Sequence, residues 1–283
     1  MIRAAAHEDV PQLLTLWQEA FGESETDAAF YLKHRSKPQH MLVMERGDDI
    51  LGMLSMLPFD LKSGDKVFPA RYVFAVATRA SHQRQGISAE LLSKAHEKMK
   101  SEGASASVLV PASPALFEFY RKRGYETVFY QKKLLLEAQE ITDIPEGDVK
   151  PCAVEDFYRL REKAFEDSAL FARWDLDALA FITRIMKDSG GGVLRMRTKN
   201  GEGAAVCERR EGGIRISELA LSGIPWQEAL ALACQAFPAK RYEVRLPRET
   251  LGAGDIIPFG MIHQLRDVPL APGNAPWLAL AKD

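Results

Sequence analysis

Apolar and polar positions along the first half of the chain switch repeatedly between two periods. Ile2 to Ala5 reads as a short strand. From Asp9-Val10-Pro11 onward, Leu13, Leu14, Trp17 and Phe21 recur at helical spacing, with proline suited to the first turn. A second helix is predicted over Thr26 to Arg35, ahead of Pro38. Met41–Glu45, the turn Arg46-Gly47-Asp48-Asp49 and Ile50–Leu57 then form a hairpin. After another turn at Ser63-Gly64-Asp65 comes an apolar strand over 71–78, which runs into a basic loop. Beyond the loop Ile87, Leu91, Ala95 and Met99, with Leu92 beside them, mark an amphipathic helix. Residues 107–111 read as a short buried strand. In the next helix Leu116, Phe117 and Tyr120 share one face, Arg121-Lys122-Arg123 suits its end, and Gly124 stops it. Tyr125 to Leu136 reads as extended. The predicted order is β-α-α-β-β-β-α-β-α-β.

The second half repeats this outline. The polar stretch 138–151 carries Pro145, Gly147 and Pro151 and is expected to be a linker. Residues 153–187 read as two helices with a break near Arg173-Trp174-Asp175. After the Gly190-Gly191-Gly192 loop come extended stretches near 193–198, 204–209 and 214–220, a helix at 225–236 and a strand at 241–246. Ile214–Leu221 corresponds to the strand before the basic loop, and Trp226–Ala236 to the helix after it. The connection between them, Ser222-Gly223-Ile224-Pro225, has no basic residue, and its proline lacks the N–H an anion would need.

The loop at 79–88 is where chemistry is legible. The first turn of a helix leaves its N–H groups unpaired, and the helix dipole favours negative charge there. Gly86 lets a ligand approach without a Cβ, Gln83 and Arg84 add donors, and Ser88 keeps the next turn small. A pyrophosphate is the expected guest. Neither GxxxxGK[ST] nor GxGxxG occurs at the early strands.

Gln83-Arg84-Gln85-Gly86-Ile87-Ser88 instead resembles the acyl-CoA loop of the GNAT superfamily of N-acetyltransferases, Arg/Gln-x-x-Gly-x-Gly/Ala, with Ser88 at the last place. The later block also resembles that family, whose strand is followed by a helix ending Tyr-x-x-x-Gly-Tyr/Phe and a further strand; here Tyr120, Gly124 and Tyr125 match, and Ser113 stands where the family often has Asn. The resemblance covers roughly residues 1–137. It implies an α/β fold around a central mixed, splayed sheet. In the family, backbone at Val76, Ala77 and Thr78 pairs with the pantetheine arm, as does that at 108–110. Gln83 to Ser88 would hold the pyrophosphate, Ser113 would lie beside the cofactor, and Tyr120 would protonate the departing thiolate. The two halves together are similar to two-domain acetyltransferases of the enhanced-intracellular-survival type, with a catalytic domain over 1–137 and a degenerate GNAT-like domain over 152–283. Those relatives add a sterol-carrier-like domain, for which this chain is too short.

The reaction implied is acetyl transfer from acetyl-CoA to a primary amine: a small cationic amine, an aminoglycoside or a peptide lysine. A CoA-binding module without turnover and an O-acetyltransferase are the alternatives. Glu25, His34, Asp60 and Glu118 are candidate general bases, and so is the terminal carboxylate of Asp283, which reaches the active site in the three-domain relatives. Aromatic residues Trp17, Phe21, Phe30, Tyr31, Phe59 and Phe68, mixed with Glu23, Glu25, Asp27 and Asp60, are expected to shape the acceptor pocket.

Bulk properties narrow the classes further. At 283 residues, 46% hydrophobic and 27% charged, the chain is an ordinary globular protein with room for two domains. A formal charge of −2 argues against a nucleic-acid partner. The N-terminus has no secretory-leader pattern, and no apolar run approaches the roughly 18 residues of a membrane span. Three widely spaced cysteines suggest neither disulfides nor a metal site, so a reducing cytoplasmic compartment is expected, with a homo-oligomer compatible.

Overall fold

The computed structural model describes residues 1–252, 254–270 and 276–280. Its first half follows the predicted order, as β1 (Ile2–Ala4), α1 (Val10–Phe21), α2 (Glu25–His34), β2 (Met41–Arg46), β3 (Asp49–Ser63), β4 (Lys66–Thr78), α3 (Ile87–Ser101), β5 (Ala106–Leu109), α4 (Pro114–Arg121) and β6 (Glu126–Glu137). The second half contains β7 (Asp148–Pro151), α5 (Val154–Ala164), β8 (Phe171–Arg173), α6 (Leu176–Asp188), β9 (Gly192–Thr198), β10 (Gly201–Arg210), β11 (Gly213–Ser222), α7 (Trp226–Ala236), β12 (Arg241–Pro247) and β13 (Asp255–Gln264). Local chemistry sets several boundaries. Ser24 caps α2 by accepting from the Asp27 amide at 3.1 Å, and Asp175 caps α6 by accepting from Ala178 at 2.7 Å.

All thirteen strands belong to one sheet, in the order β1-β2-β3-β4-β5-β13-β6-β12-β11-β10-β9-β7, with β8 attached to β3. Two pairs are parallel, β4 with β5 and β11 with β12; the remaining pairs are antiparallel. The two parallel pairs are equivalent positions in the two halves. Each half also gives its last strand to the other. β13 pairs with β5, Met261 opposite Leu109, and β6 pairs with β12, Leu134 opposite Val244. Three elements differ from the sequence reading. β8 and β13 are additional strands, and β7, inside 138–151, pairs with β9.

The helices divide the apolar surface. One core gathers Leu13, Leu16 and Trp17 of α1 and Tyr31 of α2 with Phe157 and Leu160 of α5 and Leu179 of α6, so both halves bury one surface together. A second core lies under α3 and α4, built from Ile87, Leu91, Ala95, Met99 and Tyr120 against Leu54, Val73 and Leu109. α7 covers a third, around Ile214, Ile216 and Val244. Apolar burial of this extent, at about 25 cal/mol per Å², is the main stabilising term.

Candidate functional site: a splayed strand pair and an open helix terminus

β4 and β5 pair over three residues only, Ala70 to Tyr72 against Ala106 to Val108. Beyond Tyr72 the strands part, leaving the β5-facing edge of 73–78 unpaired among the described residues. A β-bulge lies at the point of parting. Met53 pairs with Ala77 and Ser55 with Phe74, so Ala75 and Val76 together oppose Leu54. Ala75 adopts φ +52°, left-handed backbone that a Cβ makes costly by about 1–2 kcal/mol. The bulge turns main-chain polar groups out of the ladder and into the gap.

The gap leads to the loop before α3. Gly86 is the N-cap residue of α3 at φ +87°, and no atom comes within 4 Å of where its Cβ would be. The amides of Gly86, Ile87 and Ser88 have no acceptor among the described residues, whereas Gly86 O already accepts from Ala89 and Glu90 at 3.0 Å. Gln83, Arg84 and Gln85 are exposed around this opening, and Arg84 also takes positive φ, +63°. The frame is rigid. Thr78 Oγ1 and Ser88 Oγ lie 2.8 Å apart, joining β4 to the first turn of α3, and buried Ile87 pins the helix. Arg79 donates through Nε to Ile50 O at 2.8 Å, and Glu19 accepts from the Ala80 amide. The groups can therefore hold an anion without rearranging.

Tyr120 stands in the core under α4, edge-on to Phe119 and Tyr125, with ring centroids 5.1 and 5.7 Å away. Burial pushes its pKa up to about 12, with Arg123 opposing weakly, and its hydroxyl has no partner among the described residues. Its neighbour Tyr125 is committed elsewhere: the Tyr125 hydroxyl lies 2.5 Å from Ser107 Oγ and 2.9 Å from His96 Nε2. Ser113 is the N-cap residue of α4 but caps nothing with its side chain, and is exposed.

The opposite face of β4 carries a narrow aromatic slot. Tyr31, Tyr72, Phe74, Trp174 and Phe181 line it with Arg35 and Leu280, around about 50 Å³ of free space. Trp174 also lines a broader groove of about 590 Å³, which contains Asp60, Arg71, Arg173, Asp175 and Asp177. Burial raises the Asp60 pKa, with Arg173 opposing. Of the other base candidates, Glu118 is ion-paired with Arg121 and Lys122 on exposed α4. His34 stacks on Phe30, and Glu25 is exposed in the first turn of α2. Trp17 is core, its indole N–H held by Glu23 at 2.7 Å. Asp283 lies outside the described residues. Arg35, Trp174, Phe181 and Leu280 were missed as lining residues. Three of them come from beyond residue 137, and only the shared core brings them to β4.

In the second half the equivalent loop is closed. Gly223 has φ +85°, and a Cβ there would meet Asn200 O at 2.3 Å, because the β9–β10 turn packs into the loop. Asn200 Nδ2 donates to both carboxylate oxygens of Glu228 at 2.9 and 3.0 Å. β11 bulges at Ser217, beside Glu218, whose carboxylate accepts from Arg161 and from Trp277 Nε1 instead of facing a gap.

Comparison with known proteins gives this geometry a class. Residues 1–128 match the family model described as an acetyltransferase (GNAT) domain. Among solved structures, the chain is similar to a GCN5-related N-acetyltransferase from Anabaena variabilis, at 18% identity over 94% of this chain and 73% of that one, with TM-score 0.76. It is similar to another from Kribbella flavida, at 17% identity over 94% and 72%, TM-score 0.72. Eis1 from Mycobacterium abscessus is similar at 12% identity over 94% and 74%, TM-score 0.67. Curated proteins offer no match. The fold is thus that of the GCN5-related N-acetyltransferases, and the match to the acetyltransferase (GNAT) domain model spans residues 1–128. No helix among the described residues is long and apolar enough to cross a membrane.

Proposed function

We propose that the protein is an acetyl-CoA-dependent N-acetyltransferase with its working site in residues 1–137 and a second half, 152–283, that binds no cofactor. The observation that carries this reading is the parting of β4 from β5 beside the unpaired amides at the start of α3. A strand-like pantetheine arm can pair with backbone at Val76, Ala77 and Thr78, while the amides of 86–88, with Gln83, Arg84 and Gln85 around them, receive the pyrophosphate. Ser113, the exposed N-cap residue of α4, would lie beside the cofactor. The closed loop at Gly223 supports a single cofactor site per chain.

In the reaction a neutral amine adds to the thioester carbonyl, the C–S bond breaks, and the amine nitrogen loses a proton. Tyr120 stands in the second core with a free hydroxyl, and we assign it to the leaving sulfur. A phenol near 12 does not surrender its proton outright to a thiolate near 8.5, taking the cysteine value as a guide. It donates a hydrogen bond as the sulfur becomes anionic, and the proton finally carried by the thiol derives from the amine through solvent. Among the described base candidates Asp60 is the carboxylate that lines a cavity, and its raised pKa suits proton acceptance.

Free-thiol release from acetyl-CoA over a panel of primary amines, beside calorimetric titration with CoA, tests this. Turnover with at least one amine and CoA binding that protects the fold are expected. Absence of CoA binding at millimolar concentration would remove the assignment. Binding without thiol release from any amine would leave a regulatory CoA module.

A further inference from the structure

The aromatic slot beside the β4 bulge contains two donors without an acceptor among the described residues. The hydroxyl of Tyr31 is buried and has no partner, although the residue is only 6% exposed. Four residues on, at the C-cap of α2, Arg35 lines the same slot. Arg35 forms no ion pair or side-chain hydrogen bond among the described residues; its guanidinium lies 5.7 Å from the ring centre of Trp174. Burial disfavours its charge, and Asp175 and Asp177 act on it only at a distance. A half-buried guanidinium and a buried hydroxyl left unpaired are both unfavourable, the charged group more so. Both line a slot whose other walls are the rings of Tyr72, Phe74, Trp174 and Phe181 and the aliphatic side chains Leu57, Ile182, Ile185 and Leu280. Among the described residues no acceptor meets either donor; a ligand carboxylate would supply one, and a planar anion matches the guanidinium fork.

We propose that this slot selects acceptor amines whose slender apolar body carries a carboxylate, held by Arg35 and Tyr31 with the amine directed toward the β4 bulge. The inference deepens the transferase reading and rests on it for the direction of the amine. It also changes the class of acceptor from that suggested by the acidic residues of α2. Those carboxylates lie outside the slot, whereas the charge inside it is positive.

Calorimetric titration of the intact protein with matched pairs tests the proposal: 6-aminohexanoate against hexylamine, and 4-(aminomethyl)benzoate against benzylamine, with spermidine as the polycation. Each carboxylate is expected to bind about tenfold or more tightly than its bare amine, the size of a charge-assisted hydrogen-bond pair. Arg35→Gln should collapse that preference, Arg35→Lys should restore part of it, and Tyr31→Phe, which deletes one oxygen, should reduce it several-fold. The proposal is overturned if the carboxylates bind no better than their bare amines, if neither binds, or if spermidine binds best. Thiol release from acetyl-CoA is read on the same samples. Carboxylate preference without turnover would remove the transferase reading and keep the pocket, while turnover without that preference would remove the pocket alone.

Discussion

Tyr120 and Tyr125 are five residues apart, both buried aromatics in one core, yet their hydroxyls are in opposite situations. Tyr125 is bound to Ser107 and His96, so its O–H is used by the fold. The Tyr120 O–H is free, and burial holds it protonated to about pH 12. Tyr120→Phe is therefore expected to lower kcat about 10²-fold, the contribution of one positioned hydrogen-bond donor to the developing charge, while the CoA dissociation constant stays within about twofold. Steady-state kinetics beside titration checks this, and an equal loss in both would refute the role. The wild-type rate should also show no alkaline decline from Tyr120 below pH 10, because its raised pKa keeps the donor form populated. His96 has the opposite shift. Burial, reinforced by His263 stacked at 4.3 Å, lowers its pKa to about 4. The groups facing it are His263 and the Tyr125 hydroxyl, neither able to neutralise an imidazolium. Unfolded chain binds a proton at His96 below about pH 6.5 and folded chain does not. The stability is thus complete above pH 6.5 and lost as pH falls toward 4, by at most about 3 kcal/mol. Urea unfolding at pH 7.5 and 4.5 should show a smaller acid loss for His96→Gln than for wild type.

At the scale of elements, Gly86 joins the loop to α3, where the proposed pyrophosphate would sit. Its φ of +87° excludes other residues by backbone strain, since space around the Cβ position is open. Gly86→Ala is expected to cost only about 1–2 kcal/mol of stability. It should weaken CoA binding about tenfold, because the amides of 86–88 converge only when that residue is left-handed. Isothermal titration against the melting temperature separates the two effects, and an unchanged CoA affinity would contradict the cradle. The strand, loop and helix that frame the proposed cradle were readable in the sequence because a helix stripe starting at Ile87 after an apolar strand leaves little freedom in what lies between. The longer elements of the first half, such as α1, α3, β3 and β4, were readable for the same reason: each is periodic and ends at a turn or loop. β13 was not. Pro258 and Gly260 interrupt its alternation, its register against β6 shifts twice, and Pro in a strand argues against a central position. β8 is three residues long and exists only because β3 offers Asp60 to Lys62 as an edge. The slot shared by α2, α6 and Trp174 was hidden likewise, since it depends on which helix of one half lies over the other.

The exchange of last strands makes the whole molecule a single cooperative object. β13 closes β5 and β6, and β12 flanks β6 on its other side, so neither half has a complete sheet alone. The residues 276–280 reinforce this: Trp174 Nε1 donates to Ala279 O at 2.9 Å, Gln131 Nε2 to Leu278 O at 3.1 Å, and Trp277 Nε1 to Glu218 at 2.9 Å. Glu218 also holds Arg161 at 2.7 and 3.1 Å, with both side chains almost wholly buried. Removing one member strands the other charge, so Arg161→Met should destabilise by about 3–5 kcal/mol. Arg161→Met with Glu218→Leu should recover part of that loss but not all, because the Trp277 indole N–H then loses its acceptor. Full recovery in urea unfolding would mean that Trp277 contributes nothing. The same topology makes a cut between the halves tolerable. Residues 141–147 belong to no strand or helix, and Ile144 is 55% exposed, so limited proteolysis should nick there first. The nicked protein is expected to migrate as two fragments under denaturing electrophoresis but as one species on gel filtration, with thiol release retained. The β5–β13 and β6–β12 ladders hold the fragments through main-chain bonds that the cut does not touch. Residues 1–143 produced alone should aggregate, because the edges of β5 and β6 that β13 covers would be open. If that fragment were instead monomeric and as stable as the whole chain, the exchanged strands would be ornaments on an independent domain rather than the join that holds the enzyme together.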